Sequence, residues 1–154
     1  MAFTDNVTKH PPVSDAIDAA REARELVMEK LGKKLQAVAT GMGMPPEVSN
    51  RVGVFYDEID ARLLVELDNW DAPPAERKKL DAFFSRIEDA LNPEGDAEIY
   101  PAAIERVANQ LVLVVNTKFP YEAAAKIDGV LDEVVKEHRI EGIPATRTHW
   151  GLGG

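Results

Sequence analysis

The chain has 154 residues, 45% of them apolar, with no cysteine and a formal net charge of -9. That length and apolar content suit one domain with a sizeable core. The acidic balance disfavours direct contact with a phosphate backbone or an anionic membrane, and the lack of thiols excludes disulfides, cysteine-based zinc sites and cysteine-held iron–sulfur clusters.

Residues 1–13, which include His10-Pro11-Pro12, read as an extended N-terminal arm with no signal peptide, so a cytoplasmic location is expected. A helical domain is expected over 14–140. Ser14 suits an N-cap, and Asp15 and Asp18 complement the dipole of the first helix. Its apolar stripe is Ile17, Ala20, Val27, Leu31, Leu35 and Val38, with Gly32 a weak point and Gly41 the stop. Met42 to Pro45 form a connection, and Pro46 opens a second helix. In the segment Val48 to Asp71, apolar residues recur at Val48, Val52, Phe55, Ile59, Leu63, Leu67 and Trp70. Those steps of three and four predict a helix. Leu64 and Val65 make it apolar on most sides, which marks a central, buried helix. The first two helices are expected to pair antiparallel.

Asp71-Ala72-Pro73-Pro74 is a turn. Leu80, Phe83, Phe84, Ile87 and Leu91 predict a third helix, with Arg77, Lys78 and Lys79 on its solvated side. A fourth helix is expected from Pro101 through Ile104, Val107, Ala108 and Leu111. The apolar run Leu111 to Val115 is too short to cross a bilayer. It is rich in β-branched residues, but with no second strand to pair with it is read as helix. Pro120 opens a fifth helix, carrying Ala124, Ile127, Leu131, Val134 and Val135. Residues 141–154 form a C-terminal arm. The fold expected is therefore all-α: a single-domain bundle of about five helices with extended N- and C-terminal arms.

On the helical wheel of the second helix, Glu66 falls about 20° from Ile59, inside the apolar stripe. A lone carboxylate there is costly to bury, and the functional reading is a metal ligand or a raised-pKa acid. The preferred reading is structural: Arg62, one turn earlier, neutralises it, or the stripe's edge reaches solvent. A paired carboxylate at an assembly interface is a third. Other constellations are poor. The histidines are His10, His138 and His149, and none completes Glu-x-x-His, so a di-metal bundle is not expected. Ser14, Ser49 and Ser85 lack a nucleophile elbow. Gly41-Met42-Gly43 lacks the Lys-Ser/Thr of a phosphate loop. No metal, cofactor or catalytic residue is expected.

The arms carry the most suggestive signal. Ile143, Trp150 and Leu152 place apolar anchors in the C-terminal arm, a common way to dock into a neighbour. The leading expectation is a non-enzymatic structural or interaction protein, acting through a bundle face and its arms in a homo-oligomer or larger complex. Subunits of virion and phage-type assemblies share this plan, by analogy of architecture alone. Two alternatives remain. One is a small-molecule- or metal-binding helical protein or enzyme built on Glu66. The other is an acidic DNA mimic using Asp57, Glu58, Asp60, Asp68 and Asp71.

Overall fold

The first helix, α1 (Val13–Gly41), starts one residue before the expected cap and ends at the expected glycine. The computed structural model describes residues 13–68, 73–91, 102–107 and 110–143. Only the second half of the α1 stripe enters the core. Met28, Leu31, Leu35 and Val38 are buried, whereas Ile17 and Leu26 are more than half exposed. Fully burying each such aliphatic side chain contributes about 1.5–3 kcal/mol. Gly41 ends α1 where another element comes too close for a side chain. A Cβ there would lie 2.6 Å from Ile140 Cγ2.

Beyond the connection the expectation fails. Pro46 opens a helix, but α2 (Pro46–Ser49) is a single turn. The segment read as a central helix is a β-hairpin, with β1 (Val52–Asp57) paired antiparallel to β2 (Arg62–Leu67). Two patterns were superimposed. Val52 and Val54 alternate inward on β1, as do Leu63, Val65 and Leu67 on β2. Phe55 and Leu64 lie on the other face; Phe55 completes the apparent helical stripe, and Leu64 makes the segment look apolar on most sides. The hairpin tip decided the matter locally. Asp57 Oδ1 accepts from the Ile59 and Asp60 N–H groups, at 3.0 and 3.3 Å, and Ala61 takes a positive φ of 52°. This side-chain-to-backbone turn competes with helix continuation. Ile59, an apparent core position on the wheel, is 91% exposed at the tip.

Read as a helix, the first hairpin leaves the segment Leu111 to Val115 with no strand to pair with. That segment is in fact the centre of β4 (Gln110–Asn116), with β3 (Ala102–Val107) before it in place of the expected fourth helix. The two pair antiparallel, Ile104 opposite Leu113. The four strands form one antiparallel sheet in the order β1-β2-β4-β3. The chain is thus α+β and not an all-α bundle of about five helices.

The remaining helices stand where the sequence placed them. α3 (Pro74–Leu91) buries Leu80, Phe83, Phe84, Ile87 and Leu91. α4 (Pro120–His138) buries Ala124, Ile127, Leu131 and Val134. Its end is a left-handed cap. Arg139 has φ 53°, and the N–H groups of Arg139 and Ile140 return to Lys136 O and Val135 O. One apolar core joins α1, α3 and α4 to a single face of the sheet. No described helix is long and apolar enough to cross a membrane.

Candidate interaction face

Strand alternation divides the sheet into two unlike surfaces. Val52, Val54, Leu63, Val65, Leu67, Leu111, Leu113 and Val115 point to the helices and are buried. Their neighbours point the other way. Register places Phe55 opposite Leu64, Leu64 opposite Val114, and Val114 opposite Ala103. These four side chains form an apolar row across all four strands. None belongs to the core or packs against it. Phe55 is 54% exposed, Ala103 is exposed, and Leu64 and Val114 are half-buried. A second row runs Gly53–Glu66–Val112–Glu105, and a third runs Asp57–Arg62–Asn116. The face is therefore an apolar stripe between polar borders, uncovered by any described helix. The Phe55 ring also folds back along β1. A Cβ on Gly53 would lie 2.9 Å from Phe55 Cε2, so this glycine makes room for the ring.

Glu66 stands in the row beside that stripe and not within a helical core. It is half-buried, and burial raises its carboxyl above the usual range, with the nearby Asp68 charge adding to the effect. Arg62 does not neutralise it. On a strand the four residue steps from Arg62 to Glu66 span about 13 Å, not one helical turn. Arg62 Nη2 instead meets Asp57 Oδ2 at 3.1 Å and Asp60 Oδ2 at 3.4 Å.

The acidic residues of the hairpin tip are occupied too. Glu58 accepts from Arg24 at 2.8 Å and Arg21 at 2.7 Å, and these two arginines hold its carboxyl below the usual range. Asp57 is lowered first by Arg62. Arg24 also lies 5.0 Å over the Tyr56 ring, whose hydroxyl donates to Thr117 O at 2.8 Å. The tip is thereby tied to α1 and to the end of β4. Asp68, at the other end of the hairpin, accepts from Gln110 at 2.9 Å. Asp71 lies outside the described residues.

Along the free edge of β1, α1 and the strand enclose a groove of about 810 Å³, lined among others by Arg24, Met28, Gly32, Gln36, Val54 and Phe55. Gln36 Nε2 donates to Val52 O at 2.7 Å, closing one backbone acceptor of the edge. This is a usual way to blunt an edge strand.

Sequence reasoning missed one buried charge cluster. Lys34 Nζ bonds both Asp128 Oδ1 and Asp132 Oδ1 at 2.6 Å, linking α1 to α4. Asp128 is fully buried and Lys34 only 8% exposed. The signal was present in the sequence, because Lys34 falls about 60° from Leu31 on the wheel, at the edge of the apolar stripe.

Of the expected partner-binding residues, Ile143 is partly buried and packs against the chain's own core. Trp150 and Leu152 lie outside the described residues, as do His10 and His149. Among the described residues, no group of three His, Asp or Glu side chains is placed to hold a metal ion. No family model, curated protein or solved structure matches this chain.

Proposed function

We propose that this is a non-enzymatic protein that works by protein–protein contact, within an oligomer or a larger assembly, through the open face of its sheet. The observation that carries the reading is the row Phe55–Leu64–Val114–Ala103, which crosses every strand and is covered by none of the described helices. A contiguous apolar strip with a polar border is the ordinary anatomy of a contact surface. The exposed start of α1 supports the same reading. Ile17 is 51% exposed and Leu26 is 58% exposed, on a helix that outruns the core it packs on.

The partner favoured is a second copy of this chain. Two antiparallel sheets stack face to face about 10 Å apart, with their exposed rows interdigitated. The net charge of -9 opposes such pairing. The contact should therefore tighten with salt, as screening removes the repulsion. Sedimentation or light scattering gives the test. The expected native mass is above that of the 17.0 kDa chain, falling to the monomer in Leu64→Lys or Val114→Lys with the circular dichroism spectrum retained. A monomer at all concentrations and salt levels, with no change in either variant, would overturn it.

A further inference from the structure

The two polar borders of the open face are not alike. The border Asp57–Arg62–Asn116 is balanced within itself, because Arg62 meets Asp57 and Asp60. The other border, Gly53–Glu66–Val112–Glu105, carries two carboxylates and no base. Glu66 and Glu105 stand two strand spacings apart, about 10 Å. The charged groups around them do not offset them. Asp68, two residues along β2 from Glu66, adds a further negative charge and accepts from Gln110. Arg51 stands with Asp68 at the wall of the α1–β1 groove. Arg62 is about 13 Å away along its strand, Arg106 turns to Asp81 on α3, and β4 has no charged residue.

The apolar row is graded in size, from Phe55 on one edge strand through Leu64 and Val114 to Ala103 on the other. A second copy can be laid on this face by a two-fold rotation about either of two axes. An axis along the row sets Phe55 on the partner's Phe55 and Ala103 on the partner's Ala103, which leaves a wedge open at one side. An axis parallel to the strands, between β2 and β4, sets Phe55 on the partner's Ala103 and Leu64 on the partner's Val114. Large then faces small across the whole row, and the layers interdigitate evenly. The same axis lays the acidic border of one copy on the acidic border of the other.

Resting on the pairing proposed above, we propose that proton uptake by Glu66 and Glu105 switches that pairing on, with Phe55 of each copy seated on the partner's Ala103. At neutral pH two carboxylates from each copy meet at one border, and they lose water with no cation to replace it. In the single chain, burial and the Asp68 charge already hold the Glu66 carboxyl above the usual range, and a second sheet strengthens the first of these causes. The pair therefore binds more protons than two separate chains do. Its association strengthens as pH falls toward the carboxylate range.

Sedimentation or light scattering between pH 7 and pH 5 tests this. The dissociation constant should fall by about tenfold or more over that range. Glu66→Gln with Glu105→Gln should pair at pH 7 as the parent does at pH 5, and should lose the pH response. Glu22→Gln with Glu47→Gln removes the same charge from α1 and α2 and should leave the response intact. Ala103→Phe should weaken pairing, and adding Phe55→Ala should restore it, with the circular dichroism spectrum retained throughout. A pair that is lost in Leu64→Lys but ignores both pH and the glutamine substitutions would overturn this inference and leave the face reading standing. The same holds for a pH response that follows the Glu22 and Glu47 charges, or for no recovery in the size swap. Monomers at every pH, in the Glu66→Gln, Glu105→Gln variant too, would overturn both.

Discussion

Glu66 and Lys34 show how differently two charges near apolar surface can stand. The folded state raises the Glu66 carboxyl through burial, so its charged form is the one penalised. The sign follows. A carboxyl whose folded value lies above its unfolded value makes folding less favourable at neutral pH, and the penalty fades as pH falls through the raised value. Glu66→Gln should raise the thermal midpoint at pH 7 by about 1–3 °C, with the gain vanishing below the ordinary carboxylate range. Calorimetry across pH reads both halves. Lys34 is the opposite case, because it holds two carboxylates that would otherwise face each other in the interior. Lys34→Met should cost about 3–5 kcal/mol, since removing one partner leaves uncompensated buried charge. The double variant with Asp128→Leu should recover much of that loss in urea unfolding.

At the scale of elements, the helices and the strands part company. α3 and α4 were legible because each presents one clean stripe bounded by proline at its start. The hairpins were not, because a sheet with an apolar row on its outer face does not alternate apolar with polar. Val52, Phe55, Ile59, Leu63 and Leu67 mimic a helical stripe only by mixing inner, outer and turn positions. Two substitutions separate the readings. Ile59→Asn, at the exposed tip, should change stability by less than about 0.5 kcal/mol. Leu113→Ala, at the centre of β4, should cost about 2–5 kcal/mol. A helical bundle with Ile59 in its core would give a large cost at both. Gly41→Val should also destabilise, because its side chain would displace Ile140 and with it the seating of α4 on α1.

Across the whole molecule, ion pairs tie the hairpin tip and α4 to their neighbours. Asp57 and Glu58 are held low by arginines, and Glu137 is held low by Arg86 on α3. Carboxyls lowered by folding give stability that is fully present above their unfolded values and is lost as pH falls through the folded ones. Stability should therefore decline below about pH 4.5, the ordinary carboxylate range. Because these groups are solvent-accessible, the decline should be shallow and screened by salt. Urea midpoints measured between pH 7 and pH 3 at two salt levels check this.

The sequence by itself determined the three long amphipathic helices, their terminators, the net acidity and the core stripes of α3 and α4. Those follow from local spacing and from residue chemistry, which need no knowledge of distant partners. Only the tertiary structure decided that two apolar segments are hairpins, since strand pairing is a relation between residues far apart in the chain. Arg62 opposite Asn116, or Leu64 opposite Val114, is a fact about register that no local window contains. The candidate site shares that origin. Phe55, Leu64, Val114 and Ala103 are scattered in sequence and become a surface only when four strands align them and three longer helices gather on the other side.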